Sequence, residues 1–148
     1  MNKNFRQIIR FSLIFFFLLE IEQAKSVVPY YYFPTIKNLK QESLSIGKNA
    51  YQLLYFGQYK ESLNLANLAI KINKTDEKLW LILADAQIAN DLYKQALNSL
   101  ENAQKINPNI SEIYFTQSNV YLKFSQLTKA KKALKTGLKI EPNNHKAI

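Results

Sequence analysis

Apolar residues are distributed along the chain in two different ways. Near the N-terminus they are contiguous: Lys3, Arg6 and Arg10 lead into Phe11, Leu13, Ile14, Phe15, Phe16, Phe17, Leu18 and Leu19, broken only by Ser12 and closed by Glu20 and Glu22. From Ser43 onward they are spaced three and four residues apart among polar ones, the spacing of amphipathic helices with one stripe to bury. The pattern predicts an all-α fold with helices over residues 43–57, 60–73, 77–90, 94–107, 111–124 and 128–141.

The N-terminal apolar stretch, counted from Ile8 to Ile21, is fourteen residues long. As a helix it reaches roughly 21 Å, against a bilayer core of about 30 Å that wants about 20 apolar residues. Three readings compete. A short anchor or interfacial helix fits a Phe-rich run behind basic residues. A cleaved signal peptide fits the basic and apolar regions, with Ala24 as the cleavage edge, but Glu20 and Glu22 stand where its polar end should be and there is no A-x-A pattern. The third is a helix packed against the rest of the protein. Residues 1–24 are assigned here as a short hydrophobic helix that associates with a membrane. Basic residues ahead of the run hold the N-terminus on the cytoplasmic or stromal side, so a full span would carry the rest of the chain across. A helix lying in the interface crosses nothing. Residues 25–42 form a linker in which Pro29 and Pro34 bracket four aromatic residues and exclude regular helix.

The periodic part repeats. Windows of 34 residues, 43–76, 77–110 and 111–144, align without a gap, leaving a tail at 145–148. The eighth place holds Ala50, Ala84 and Ser118, the twentieth Ser62, Ala96 and Ala130, and the twenty-seventh Ala69, Ala103 and Gly137. Small residues there let two antiparallel helices approach closely. Large apolar groups at Tyr59, Tyr93 and Leu127, and at Ile72, Ile106 and Ile140, fill the space between one helical pair and the next. Pro108 and Pro142 end the second helix of their units, with Lys74 in that place of the first.

This pattern resembles the tetratricopeptide repeat family. Trp80, Ala84, Tyr93, Ala96, Ala103 and Pro108 fall on its marked positions in the middle unit, and Tyr114, Tyr121, Ala130, Gly137 and Pro142 do so in the third. The resemblance implies a solenoid of three helix–turn–helix repeats, with a groove lined by the first helix of each. Each unit buries its apolar stripe only by stacking on a neighbour. The last helix should then expose part of its inter-repeat face, open to a partner or a second copy of the chain. A helical stretch at 36–42 could extend the first unit.

By the same resemblance, the groove-facing places hold Leu44, Gly47, Tyr51, Leu54 and Tyr55, then Lys78, Leu81, Asp85, Ile88 and Ala89, then Glu112, Phe115, Asn119, Leu122 and Lys123. The candidate partner groove is drawn from these: Tyr51, Leu54, Tyr55, Leu81, Asp85, Ile88, Phe115, Asn119 and Leu122. An apolar, aromatic lining suits a hydrophobic peptide or helix. The alternative for any one of them is simple packing against its own helical pair. Chaperone-binding members of the family seize a C-terminal carboxylate with a clamp of lysine, asparagine and arginine. The matching places here hold Gly47, Tyr51, Ile82, Glu112 and Thr116, so the clamp is missing.

Composition narrows the chemistry. The chain has 148 residues, one domain's worth, with no cysteine, three scattered glycines and a single histidine, His145, beside the C-terminus. Thiolate nucleophiles, iron–sulfur clusters, Cys-rich zinc sites and glycine-rich phosphate loops are excluded, and no carboxylate pair with a neighbouring base stands out. The sequence points to a non-enzymatic protein with no cofactor, no metal and no catalytic residues. Its net charge is +9, but 18 of its 20 basic residues are lysine and asparagine and isoleucine number 15 each, the signature of an AT-rich genome. Lys129, Lys131, Lys132, Lys135 and Lys139 concentrate charge on the last helix. With arginine so scarce, a solvated outer face is favoured over nucleic-acid binding.

The hydrophobic head, aromatic linker and repeats over two thirds of the chain also resemble the small tetratricopeptide proteins encoded in cyanobacteria and in red-lineage plastids, which are implicated in photosystem I assembly. That resemblance implies a plastid or cyanobacterial-type thylakoid location, on the stromal or cytoplasmic side. It also implies a photosystem I subunit or another assembly factor as partner. Two other classes stay open: a periplasmic or secreted adaptor with a cleaved signal peptide, and an RNA-associated repeat protein using the lysine face of repeat three.

Overall fold

The computed structural model describes residues 36–143. The segment 1–24 expected to associate with a membrane, residues 25–35 of the linker and residues 144–148 lie outside the described residues. Among the described residues six helices follow one another: α1 (Ile36–Tyr55), α2 (Tyr59–Ile72), α3 (Glu77–Ala89), α4 (Tyr93–Ile106), α5 (Ser111–Lys123) and α6 (Leu127–Ile140). No strand occurs among the described residues. Each of α1–α2, α3–α4 and α5–α6 forms an antiparallel pair, and α2 and α4 pack onto the first helix of the next pair. The architecture is three stacked helix–turn–helix repeats. Five of the six helices fall within two residues of the sequence expectation. The exception, α1, begins at Ile36, so the assigned linker gives up its last seven residues to helix.

The turns inside the three repeats share one geometry. Place fifteen has a left-handed backbone each time, with φ of 77° at Gly57, 59° at Asp91 and 56° at Ser125. The next amide reaches back to a carbonyl five residues earlier: Gln58 N to Leu53 O at 2.9 Å, Leu92 N to Gln87 O at 2.8 Å and Gln126 N to Tyr121 O at 2.9 Å. This is a Schellman-type closure, and only Gly57 makes it without a Cβ penalty.

Where helices pair, the small places do more than allow close approach. In repeat one the buried Ser62 Oγ donates to Ala50 O at 2.8 Å. In repeat three the roles reverse, and Ser118 Oγ donates to Ala130 O at 3.0 Å. Repeat two has alanine at both places and ties its helices instead by Ser99 Oγ donating to Gln87 Oε1 at 2.8 Å.

The repeats are joined in a recurrent way as well. Trp80 Nε1 donates to Lys74 O at 2.9 Å, and Tyr114 OH, in the same place one repeat later, donates to Pro108 O at 2.8 Å. Asp76 caps α3 by accepting from Lys78 N at 2.9 Å. Two apolar clusters fill the interior. Ala50, Ala66, Ala69, Ile70, Leu79, Leu83 and Ala86 bind repeat one to repeat two, and Leu81, Ala84, Ala96, Leu100, Ala103, Ile113 and Tyr114 bind repeat two to repeat three.

Candidate partner groove

The first helices α1, α3 and α5 carry the candidate groove, and their side chains divide into those left open and those taken into the core. Tyr51, Tyr55 and Leu122 are 54%, 82% and 51% exposed, far above what an apolar side chain shows when its own repeat covers it. Asn119 is also exposed, while Leu54, Ile88 and Phe115 are half-buried. Leu81 is different. It is buried in the cluster between repeats two and three, beside Leu100 and Ile113, and offers nothing to a ligand. Gly47 is buried against Leu79, so place five in the first repeat is helix packing.

Phe115 is held by its own repeat. Its ring lies over Gly137 on α6, so close that a Cβ on Gly137 would fall 2.6 Å from the ring. The small residue at place twenty-seven therefore fixes where Phe115 sits. From there it lines a cavity of about 620 Å³ together with Asn109, Ile110, Ser111, Glu112, Asn119, Ile140 and Glu141. Ser111 Oγ donates to Glu141 Oε2 at 2.6 Å across this cavity's wall. Phe115 and Asn119 are thus brought together, whereas Tyr51 and Tyr55, on α1, do not line it.

Asp85, on α3, is half-buried between Leu81 and Ile88 along the helix. Burial, with a smaller contribution from the Glu112 carboxylate, pushes its pKa up to about 6. The two carboxylates therefore feel one another across the face.

Sequence reasoning overlooked Phe56, which is 74% exposed beside Tyr55 and meets it edge-to-face with centroids 5.6 Å apart. It lies just past α1, outside the helical places used to find the groove. A second aromatic pair, Tyr93 and Phe124 at 6.1 Å, links the turns of repeats two and three. On α6, Lys129, Lys131, Lys132, Lys135 and Lys139 are all exposed, and Lys129 Nζ stands 5.7 Å from the centre of the Tyr121 ring. Among the described residues there is no cluster of His, Cys, Asp and Glu able to hold a metal, and no helix long and apolar enough to cross a membrane.

Comparison with known proteins agrees with this architecture. The tetratricopeptide repeat family matches residues 77–110 and 111–144, so these residues are two tandem tetratricopeptide repeats, in the register the small places define. Residues 43–76 repeat the same helical pair one unit earlier. The fold is similar to the first tetratricopeptide domain of Spaghetti (RPAP3) bound to the HSP90 peptide SRMEEVD, at 20% identity and a TM-score of 0.70, over 73% of this chain and 86% of that one. It is also similar to the Arabidopsis OM64 TPR domain, at 18% identity and a TM-score of 0.71, over 74% of this chain and 90% of that one. A third likeness is to SycD, the type III secretion chaperone of Yersinia enterocolitica, in complex with a peptide of the translocator YopD. There the identity is 16% and the TM-score 0.65, over 69% of this chain and 78% of that one. At such identities the likeness is one of fold. No curated protein matches the sequence.

Proposed function

We propose that this protein is a non-enzymatic interaction scaffold that holds a segment of another protein against α1, α3 and α5, and that it serves photosystem I assembly at the thylakoid membrane. The observation that carries the binding reading is the exposure of Tyr51, Tyr55 and Leu122 on the first helices of the repeats, with the rings of Tyr55 and Phe56 among the most exposed apolar groups of the described residues. Stacked repeats offer an extended face of this kind to partners, and rigid aromatic rings anchor partners at little entropic cost. Spaghetti (RPAP3) and SycD were both solved with peptides, which is the same mode of use. The HSP90 peptide of the former, SRMEEVD, has three acidic residues among its last four, and such a terminus finds no clamp here, because Tyr51 and Glu112 stand in two of the clamp's places. An apolar partner segment fits better than an acidic tail.

The assembly role rests on the layout of the whole chain, in which an apolar N-terminal run ahead of the repeats would concentrate the scaffold at the stromal or cytoplasmic membrane surface. Affinity capture of the tagged protein from mildly solubilised native thylakoids tests it. Photosystem I subunits should co-purify with the wild type and fall at least about fivefold with the Tyr51→Ala/Tyr55→Ala/Phe115→Ala variant. A soluble pool without photosynthetic partners would sink the assembly role. Equal capture by a fully helical triple variant would sink the groove.

A further inference from the structure

At both joints inside the array, the first helix of one repeat covers the second helix of the repeat before, and the same places meet. Place three of the covering repeat packs beside place five of the covered one: Leu79 against Gly47, and Ile113 with Leu81 in one cluster. Place four is an aromatic donor that reaches the carbonyl at place thirty-two, Trp80 to Lys74 O and Tyr114 to Pro108 O. Place seven meets place twenty-eight like with like. Leu83 shares an apolar cluster with Ile70, whereas Gln117 Nε2 donates to Gln104 Oε1 at 3.1 Å.

The end of the third repeat presents these places again, with no helix beyond α6 among the described residues. Phe115 stands at place five, Leu134 at twenty-four, Leu138 at twenty-eight and Pro142 at thirty-two. Their counterparts at the joints are closed: Leu81 is 8% exposed, Leu100 0% and Ile70 7%. Phe115, Leu134 and Leu138 are all half-buried instead, and the 620 Å³ cavity opens beside Phe115 and Ile140. A second copy of this chain does not fit there. The outer face of α1 sets exposed Ser45, Asn49 and Gln52 at places three, seven and ten, where α3 has Leu79, Leu83 and Ala86. Two α6 helices laid together would oppose the five lysines of one with those of the other.

We propose that this end face binds one amphipathic helix of a partner protein, with the pattern apolar–aromatic–x–x–apolar. Its first apolar residue covers Phe115 and Leu134, its tryptophan or tyrosine donates to Pro142 O, and its second apolar residue lies on Leu138. The contact continues a series formed twice within the chain, driven by the same burial of an apolar stripe. It goes beyond the groove reading: Phe115 borders both surfaces, whereas Leu134, Leu138 and Pro142 lie outside the first helices.

The test uses a fluorescein-labelled synthetic peptide of residues 76–90, which is α3 with its Asp76 cap, and its Leu83→Gln and Trp80→Phe forms. Each is titrated by anisotropy into the full-length protein as wild type, Leu138→Gln and Tyr51→Ala/Tyr55→Ala. Gln104 occupies the same place in repeat two, so Leu138→Gln keeps the fold, and circular dichroism verifies it. Wild type should bind the parent peptide at least about tenfold tighter than the Leu83→Gln form, and Leu138→Gln should reverse that order. The Trp80→Phe form should be about fivefold weaker than the parent on wild type, and the tyrosine variant should bind as wild type does. The same order on wild type and Leu138→Gln, or no binding by any form, overturns the proposal. Peptides lost in the tyrosine variant and indifferent to Leu138→Gln lie in the groove, which overturns the end face and leaves the groove reading standing.

Discussion

Asp85 sets a stability trend that pH can read. In the unfolded chain its carboxyl titrates near its ordinary 3.8; folded, it titrates at about 6. Between those values the folded state binds more protons than the unfolded one, so its contribution to stability falls as pH rises through this window and is fully lost above about 6. Asp85→Asn should therefore match wild type below pH 4 and exceed it by about 1–3 kcal/mol at pH 7.5. Urea unfolding at several pH values, followed by the fluorescence of Trp80, checks this, and a pH-independent difference would contradict it. Ser125 carries a second local cost, because its φ of 56° suits glycine. Ser125→Gly should raise the unfolding free energy by about 0.5–1 kcal/mol, read in the same urea titration. The sequence marked Asp85 and Glu112 as groove places. It could not show that they share one environment, since the distance between them depends on how repeats two and three stack. Nor did it reveal the serines as hydrogen-bond donors, because a serine and an alanine look alike at a place that demands only smallness.

Among the helices, legibility follows repetition. Five were placed to within two residues because three copies of the pattern set one another's phase, whereas the start of α1 at Ile36 has no earlier copy to align with. Leu81 shows the opposite failure. Its place faces a groove by family habit, yet the stacking of α4 and α5 on α3 draws it into the core. The aromatic joints between repeats were legible as large residues and not as donors to a carbonyl six positions back. Tyr114→Phe, which keeps the ring and removes the bond to Pro108 O, should cost about 1 kcal/mol. Leu100→Ala, emptying a fully buried site between the same two repeats, should cost about 3 kcal/mol. Thermal unfolding by far-ultraviolet circular dichroism separates them, and equal losses would mean that packing and hydrogen bonding are misassigned at this joint.

At the scale of the molecule, each repeat hides its small places and core leucines, the first helices keep Tyr51, Tyr55, Leu44 and Leu122 exposed, and the second helices expose Tyr59, Leu68 and Leu127. The exposed tyrosines of the first helices are the side chains that a bound segment would cover. The same face holds an unpaired acid, while the lysines of α6 are turned to solvent and carry most of the excess charge of the third repeat. One surface thus offers exposed apolar side chains, and the other carries most of the charge of the third repeat. The most direct measurement is site-specific photo-crosslinking in native membranes, with p-benzoylphenylalanine in place of Tyr51 or Tyr55 and, as the comparison, in place of Lys131. Covalent adducts to one and the same partner from positions 51 and 55, with none from 131, are what this account predicts. Adducts from position 131 alone would contradict it.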